Sequence, residues 1–267
     1  LVMGACTQAA KPLKNGWIIG RNFDFEGGRV FDEDKVLKWV FPEKGNAYVS
    51  VIFSGMVGVI TGVNEHGVYI AINAAGSDDF TRLGTPTSLV ALKALQFSKS
   101  AKEAVEIISK SNPLITDIYV VTDRGDEMFI VEKSPAKSKV ISKKQDTVVT
   151  NHLQHDDSRD DKTNRKRMDS NTTLARFAKA EALLKRVNTE NDMIGLLRDK
   201  QKINDQIAWG HRNSIDALIA SHSVVYNSQD QRLYVSKGPS LSEAFVGVDL
   251  AQSCLLYTSP SPRDGLL

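Results

Sequence analysis

Short β-branched and aromatic segments separated by turn residues recur along this chain, and they limit most strongly what it can fold into. Val63–Gly67 (VNEHG) has the composition of a hairpin connection, with Gly67 able to adopt a positive φ. Asp123–Asp126 (DRGD) and Asn227–Asp230 (NSQD) indicate two further hairpins. Because hairpins join antiparallel strands, we expect mostly antiparallel sheets. The predicted strands are Trp17–Arg21, Tyr48–Phe53, Val57–Thr61, Val68–Asn73, Asp117–Thr122, Glu127–Glu132, Lys139–Ser142, Thr147–Asn151, Ser223–Tyr226 and Arg232–Ser236.

Helical periodicity divides these strands into groups. Apolar residues at helical spacing predict helices over Leu89–Leu95 and Ala101–Ile108. Leu174–Val187 is typical of an amphipathic helix, and Asp192–Leu197 of a weaker one. The charged stretch Asp156–Asp169 is interpreted as a solvated loop. The order of strands, helices, strands, helices and strands predicts an α+β fold, with helices layered over antiparallel sheets.

The composition is that of an ordinary globular protein, with 41% hydrophobic and 25% charged residues among 267. This length can bury a large core, as one large domain or two small ones. The net charge of +2 is too small to favour nucleic acid or an anionic membrane surface as a partner. No run approaches the roughly eighteen apolar residues of a membrane helix, so we expect no span. We expect a soluble bacterial protein, and since no targeting segment is visible from Leu1 onward, its compartment stays open.

The two cysteines do not carry equal weight. Cys254–Asp264 (CLLYTSPSPRD) reads as a translated sequencing adapter and has neither helical nor strand periodicity. We therefore interpret residues 254–267 as foreign to the fold, and we expect one functional domain over residues 6–253. We therefore do not predict a disulfide between Cys6 and Cys254, and Cys6 is the cysteine whose role needs an explanation.

Cys6 can act as a nucleophile only if another group takes its proton. Five histidines are scattered along the chain, and none stands in a papain-like local signature. A second way to deprotonate the thiol exists if Leu1–Ala5 is a removable leader. Its removal would make Cys6 the first residue, and the new α-amino group, with a pKa of about 8, could serve as the base.

Five short motifs in a fixed order give the chain a resemblance to a known family. They are CT at 6–7, GRNFD at 20–24, GVNEHG at 62–67 running into INAA at 72–75, VTN at 149–151 and ARF at 175–177. On these motifs the chain resembles the N-terminal nucleophile (Ntn) hydrolases of the choloylglycine hydrolase and penicillin acyltransferase group, in particular the branch named for acyl-coenzyme A:isopenicillin-N acyltransferase. The resemblance extends from Gly4 to about Pro239. It implies a four-layer αββα sandwich with two mostly antiparallel sheets, and an amide hydrolase or acyltransferase.

The resemblance also implies roles around the thiol. Cys6 would be the nucleophile, and Arg21 would lie beside it as a fixed cation. Asp24 would accept a hydrogen bond from the freed α-amino group. Arg176 would complete the polar network around Asp24 and Arg21. Ala5 stands where the acyltransferase prototype has glycine, so removal of the leader by self-cleavage or by another protease stays open.

Further residues are expected to bind the substrate. By the resemblance, Asn73 and Asn151 would donate to the oxyanion, one from its backbone and one from its side chain. His152, which follows Asn151, would be a pocket or packing residue. Phe25 and Phe31 belong to an aromatic group that suggests an apolar acyl pocket.

The expected substrate is a linear, non-peptide C–N amide, such as an N-acyl amino acid, a penicillin-like side-chain amide or a conjugated bile acid. The acyl group would form a thioester on Cys6 and pass to water or to an amine acceptor, with acyl-coenzyme A and a homo-oligomer as further partners to consider. We expect no cofactor and no metal, although His152 and His155 have a spacing that can ligate zinc. Two alternatives are a non-catalytic ligand-binding module on the same scaffold and a histidine-assisted thiol hydrolase.

Overall fold

Two antiparallel sheets form the centre of the fold in a computed structural model that describes residues 5–25, 35–158, 160–170, 172–201, 211–237 and 244–251. The strands there are β1 Thr7–Leu13, β2 Gly16–Asp24, β3 Lys35–Val40, β4 Tyr48–Phe53, β5 Thr61–Asn64, β6 Tyr69–Ala74, β7 Asp117–Thr122, β8 Met128–Lys133, β9 Ser138–Lys143, β10 Thr147–Val149, β11 Ala220–Asn227, β12 Arg232–Ser236 and β13 Phe245–Asp249. The helices there are α1 Thr87–Phe97, α2 Ala101–Ser109, α3 Lys162–Ser170, α4 Thr173–Leu184 and α5 Glu190–Leu197. A 3₁₀ turn covers Asp156–Ser158.

The first sheet has the strand order β10-β1-β2-β11-β12-β13, and the second runs β3 to β9 in chain order. Every strand pair within them is antiparallel. The predicted hairpins are present, since β5 pairs with β6, β7 with β8, and β11 with β12. At the first of these turns Gly67 has a φ of +82°, which favours glycine.

The sheets pack face to face and carry helices on their outer faces. Trp17 and Ile19 of the first sheet meet Val120 and Ile130 of the second in one buried cluster. Helices α1 and α2 cover the second sheet, and α4 and α5 cover the first. The predicted α+β class and its four-layer αββα order are thereby confirmed. No described helix is long and apolar enough to cross a membrane.

The alternation of strand β2 aims its side chains at two different layers. Successive residues point to opposite faces of a sheet, so Arg21 and Phe23 face the second sheet while Asn22 faces the helices. Asn22 donates to the carbonyls of Leu197, at 2.9 Å, and Ile215, at 3.0 Å. Strand β2 therefore places the side chain of Arg21 between the two sheets.

Two predicted segments have a different structure, and three strands were not predicted. Val57–Thr61 is not a strand, because Gly58 has a φ of +107° that breaks the extended backbone; the strand is Thr61–Asn64 instead. The charged stretch Asp156–Asp169 is not all loop, since it holds most of α3. Strands β1, β3 and β13 were not expected.

Candidate active site

Cys6 lies directly before β1, on the strand backbone that pairs with the end of β2. The backbone N–H of Ala5 donates to the carbonyl of Asp24 at 3.0 Å. The thiol is fully buried and packs against Phe23 and Ile60. Phe25, Phe53 and Met56 surround this cluster as partly buried side chains. In the intact chain the sulfur is therefore enclosed on an apolar side.

Arg21 brings a fixed cation to the sulfur. Its Nη2 lies 3.9 Å from Cys6 Sγ and also donates to the carbonyl of Ile72. Its Nη1 donates to the carbonyl of Ile60 at 3.1 Å and to Thr61 Oγ1. The guanidinium is completely buried, with its carbon 4.9 Å from the centre of the Phe23 ring, which lies on the same strand. A buried cation held this tightly can stabilise a thiolate next to it.

Asp24 is a fully buried acid. Neither carboxyl oxygen has a partner in the part of the chain that the structure describes. Burial raises the pKa of this carboxyl group to about 8, although Arg176 and Arg21 act to lower it. At neutral pH the group is therefore mostly protonated in the intact chain. Unpartnered buried polar groups are uncommon, so this one needs an explanation.

Arg176 ties helix α4 to the residues at the nucleophile. Its Nη1 donates to the carbonyl of Cys6 at 2.6 Å and to Thr7 Oγ1 at 2.8 Å. Its Nη2 donates to Asn151 Oδ1 at 2.8 Å. Burial lowers the pKa of Arg176, while Asp24 and Cys6 raise it. A single guanidinium thus positions both the Cys6 backbone and the Asn151 amide.

The two asparagines lie beside this network with different hydrogen-bonding capacity. Asn73 Nδ2 donates to the carbonyls of Val149 and Thr150, at 3.1 and 2.9 Å, which occupies both amide hydrogens. Asn151 Nδ2 donates to the carbonyl of Ala74 at 2.8 Å, which uses one of its two hydrogens. If these residues hold an oxyanion, the side-chain donor is Asn151 and the backbone donor is Asn73.

The expected substrate-binding residues do not all lie together. Phe25 stacks on Phe23 with ring centres 5.7 Å apart, next to Cys6. His152 instead lines a cavity of about 720 Å³ beside Phe177, whose ring it meets edge-on. Burial, with Arg176 nearby, lowers the pKa of His152 to about 4, so its imidazole is neutral. Phe31 lies outside the described residues.

Comparisons with known proteins place the chain in a family. Residues 13–239 match the family described as acyl-coenzyme A:6-aminopenicillanic acid acyl-transferase. The chain belongs to this family. The match begins after Cys6, so the assignment of the nucleophile does not follow from it. It does include the positions of Arg21, Asp24 and Arg176.

Solved structures share the fold at low sequence identity. The N-acylethanolamine-hydrolyzing acid amidase ortholog of Caenorhabditis elegans is 16% identical with a TM-score of 0.62, over 84% of this chain and 93% of that one. Penicillin V acylase from Agrobacterium tumefaciens is 19% identical with a TM-score of 0.61, over 92% and 86%. A variant of conjugated bile acid hydrolase from Clostridium perfringens is 14% identical with a TM-score of 0.59, over 92% and 93%. All are Ntn hydrolases, and they establish the fold of this family member.

One curated relative matches a shorter stretch. An uncharacterized protein of Archaeoglobus fulgidus is 28% identical over 108 residues, which is 40% of this chain but 18% of that protein. The chain therefore spans less than a fifth of the relative's length, and this match adds no function to the family assignment.

Sequence reasoning missed two polar residues of this family member's site. His222 Nε2 lies 3.1 Å from Thr61 Oγ1 and 3.5 Å from Arg21 Nη1, and its ring stacks on Phe23. Burial, then Arg21, lowers the pKa of His222 well below its ordinary value, so it is a neutral acceptor behind the arginine. Arg167 of α3 is the second, because it donates to the carbonyl of Ala75, and because burial lowers its pKa while Cys6 acts to raise it. Its neighbours Arg165 and Lys166 look the same in sequence, so nothing in the sequence distinguishes it.

Among the described residues, no three His, Cys, Asp or Glu side chains come together in a way that could hold a metal ion. His152 and His155 belong to this part of the chain. His155 lies next to Asp157, with 3.9 Å between its Nδ1 and the carboxylate.

Proposed function

We propose that this chain is a cysteine Ntn amide hydrolase or acyltransferase with Cys6 as its nucleophile. Its substrate is a linear, non-peptide C–N amide of the N-acyl amino acid, penicillin-like or conjugated bile acid type. Family membership supports the reaction class. The observation that carries the assignment to Cys6 is the convergence on it of Arg21 from β2 and Arg176 from α4, at the sulfur and at the carbonyl.

The unpartnered carboxyl group of Asp24 supports a freed amine at position 6. A buried carboxyl group without a donor costs free energy, and a charged donor beside it would remove that cost. Asp24 pairs in register with Ala5, the residue whose removal would create the amine on Cys6. The freed α-amino group would then donate a hydrogen bond to the carboxyl group of Asp24, both as the neutral amine that acts as the base and as the ammonium formed when it takes a proton.

Proton transfer in the first half-reaction follows from that arrangement. The free α-amine takes the proton of the thiol, and the sulfur forms a bond to the amide carbonyl carbon. The carbonyl oxygen becomes an oxyanion, which the remaining side-chain N–H of Asn151 and the backbone N–H of Asn73 would stabilise. As the C–N bond breaks, the α-ammonium returns the proton to the leaving amine. An acyl thioester remains on Cys6.

The second half-reaction repeats these steps with another nucleophile. Water, or an amine acceptor, attacks the thioester carbonyl while the α-amine takes its proton. The C–S bond breaks, and the thiolate regains a proton. Water gives a free acid, and an amine gives a new amide. Attack of the Cys6 thiolate on the carbonyl of an acyl-coenzyme A would form the same thioester and release the coenzyme A thiol.

Leader removal is a requirement of this mechanism, because Cys6 has a free α-amine only as the first residue of the chain. A fully buried cysteine is generally inert, and substrate cannot reach it in the intact chain. We therefore propose that the chain as written is a precursor, and that residues 1–5 must leave before catalysis. The same burial favours one alternative function, that of a ligand-binding module in which Cys6 is only a core residue packed against its neighbours.

Mass spectrometry of the expressed protein tests the proposal. We expect the active protein to lack Leu1–Ala5, to release amine from a panel of N-acyl compounds, and to take iodoacetamide on Cys6. Cys6→Ala should keep its N-terminus and release no amine. An active protein that retains all five leader residues would refute the mechanism. A processed protein whose thiol stays unlabelled and which releases no amine would support the binding module instead.

A further inference from the structure

Arg167 has a hydrogen-bond donor that no acceptor in the described part of the chain uses, on a side chain that contacts the carbonyl of Ala75. It lies on α3 and is about half-buried, and its Nη2 donates to the carbonyl of Ala75 at 3.1 Å. Its Nη1 is buried and has no hydrogen-bond partner in the described part of the chain. Burial lowers the pKa of Arg167, whereas Asp117 and Cys6 raise it, so both groups are within electrostatic range. A buried guanidinium nitrogen without a partner is costly, and ligand binding is one way to satisfy it.

The nearest acid does not use this donor. Asp117 is buried at the start of β7, where it accepts from the backbone N–H of Ala75, at 3.1 Å, and from Thr87. Burial raises the pKa of Asp117 to about 7, so it is only partly ionised at neutral pH. Its charge therefore balances that of Arg167 incompletely.

The positive charge around Cys6 exceeds the negative charge. Three guanidinium groups, those of Arg21, Arg167 and Arg176, act on the site. In the unprocessed chain Asp24 is mostly protonated at neutral pH, because burial raises its pKa to about 8. In the processed enzyme its carboxylate would be balanced by the new α-ammonium, so the excess of positive charge is the same. The two histidines beside the network, His152 and His222, are neutral. A site with this balance attracts an anion.

The surroundings of Cys6 are divided between an apolar side and a polar side. Phe23 and Ile60 form the apolar side. The polar side begins at Asn151, which Arg176 joins to the Cys6 carbonyl. Asn151 donates to the carbonyl of Ala74, and Arg167 donates to the next carbonyl along the chain, that of Ala75. An amide placed across Cys6 would therefore direct its hydrocarbon acyl group to the apolar side and its leaving amine toward Arg167.

We propose that Arg167 binds a carboxylate carried by the leaving amine, so that the enzyme selects N-acyl amino acid-type anions over neutral amides. This inference rests on the proposed function, whose substrate types carry an acid group on the amine portion, and it assigns a residue to recognise that group. A guanidinium donor to a carboxylate makes a short, charge-assisted hydrogen bond, which is stronger than one to a neutral oxygen. Arg167 is thus a specificity residue for the amine portion of the substrate.

Two amides with the same acyl group test the proposal. N-phenylacetylglycine carries the carboxylate, and N-phenylacetylglycinamide replaces it with a neutral amide of nearly the same shape. Released amine gives kcat and KM for each compound with the processed enzyme. We expect the wild type to favour the anion in kcat/KM by at least about tenfold, as for one hydrogen bond to a charged group. Arg167→Gln should reduce that ratio by a similar factor, mainly through the KM for the anion.

Matched variants separate binding from structural damage. Arg165→Gln, on the exposed face of the same helix, should keep the wild-type ratio. Arg167→Lys, which retains the charge without the planar donor pair, should give an intermediate ratio. A wild-type ratio near one, or an equal loss on both amides in Arg167→Gln, would overturn the proposal.

A binding measurement keeps this inference distinct from the proposed reaction. If neither amide releases amine, the proposed function fails for these acyl groups, and thermal stabilisation by each compound then decides about Arg167. A larger rise in Tm with N-phenylacetylglycine than with the glycinamide, lost in Arg167→Gln, would still support the inference. Equal rises in Tm with the two compounds, or a difference between the compounds that Arg167→Gln keeps, would contradict it.

Discussion

Asp24 makes the stability of the unprocessed chain depend on pH. Burial raises the pKa of its carboxyl group from 3.8 to about 8, so the folded state holds a proton that the unfolded state releases above pH 4. The contribution of Asp24 to stability is therefore largest below about pH 4 and is lost as the pH rises toward 8. In the Cys6→Ala variant, which should stay unprocessed, we expect Tm to fall between pH 5 and pH 8. Adding Asp24→Asn should flatten that fall, as followed by circular dichroism.

Two controls show whether Asp24 itself causes that slope. Asp146→Asn removes an acid that pairs with Lys11 on the surface, and it should leave the slope unchanged. Processed wild-type protein should lose much of the slope, because a nearby α-ammonium would favour the ionised carboxylate. An undiminished slope in the Asp24→Asn variant would mean that another group titrates.

The residues proposed to do chemistry illustrate what the sequence could reveal at this scale. The ordered motifs identified Arg21 and Arg176, and both contact Cys6 in the structure. Their catalytic roles stay predictions. The motifs did not predict that the thiol is fully buried, that His222 lies beside Arg21, or that Cys6 acts on the pKa of Arg167. Those facts depend on contacts between distant segments, which no local pattern records.

The hairpin of β5 and β6 depends on one buried asparagine at the scale of elements. Asn64 Nδ2 donates to the carbonyls of Leu95 and Ser98, at 2.9 and 2.8 Å, at the end of helix α1. Its Oδ1 accepts from the backbone N–H groups of His66 and Val68, both at 3.0 Å. Asn64→Ala leaves all four groups without this partner. We expect a loss of about 2–4 kcal/mol in the free energy of unfolding, measured with urea.

The adjacent position in the same turn provides the control. The side chain of His66 is exposed, so His66→Ala should change the free energy of unfolding by less than about 0.5 kcal/mol. Similar losses in both variants would show that the turn backbone, rather than the Asn64 side chain, holds the hairpin.

The sequence predicted correctly the elements whose structure depends on local residues. It did not predict those whose structure depends on contacts with distant segments. The turn before Tyr69 was predictable because Gly67 supplies a positive φ. Helix α3 was not, since its residues are charged and lack an apolar face. Its buried Asn164 exchanges hydrogen bonds with the backbone of Leu153, and Asp161 accepts the Asn164 N–H. Such a helix is fixed by its neighbours rather than by its own periodicity.

At the scale of the whole molecule, the site residues also connect the two sheets. Arg21 of the first sheet donates to the carbonyl of Ile72 in the second. Gln8 of β1 donates to Asn73 Oδ1 at 2.8 Å, and Asn73 in turn donates to the end of β10. The sheets and the site should therefore unfold together, because neither sheet keeps these buried groups satisfied without the other.

The proposed domain, residues 6–253, is testable by shortening the chain. Strand β13 pairs with β12, and Leu250 directly after it is buried in the core between the sheets. A chain that ends at Ser253 keeps both features. We expect its Tm to lie within about 2 °C of the full chain, in one transition by calorimetry. A chain that ends at Pro239 loses β13 and Leu250. Its Tm should fall by more than about 5 °C, because the part of the core that these residues cover becomes exposed to water. If both truncations lower Tm equally, residues 254–267 belong to the fold and their interpretation as a translated adapter is wrong.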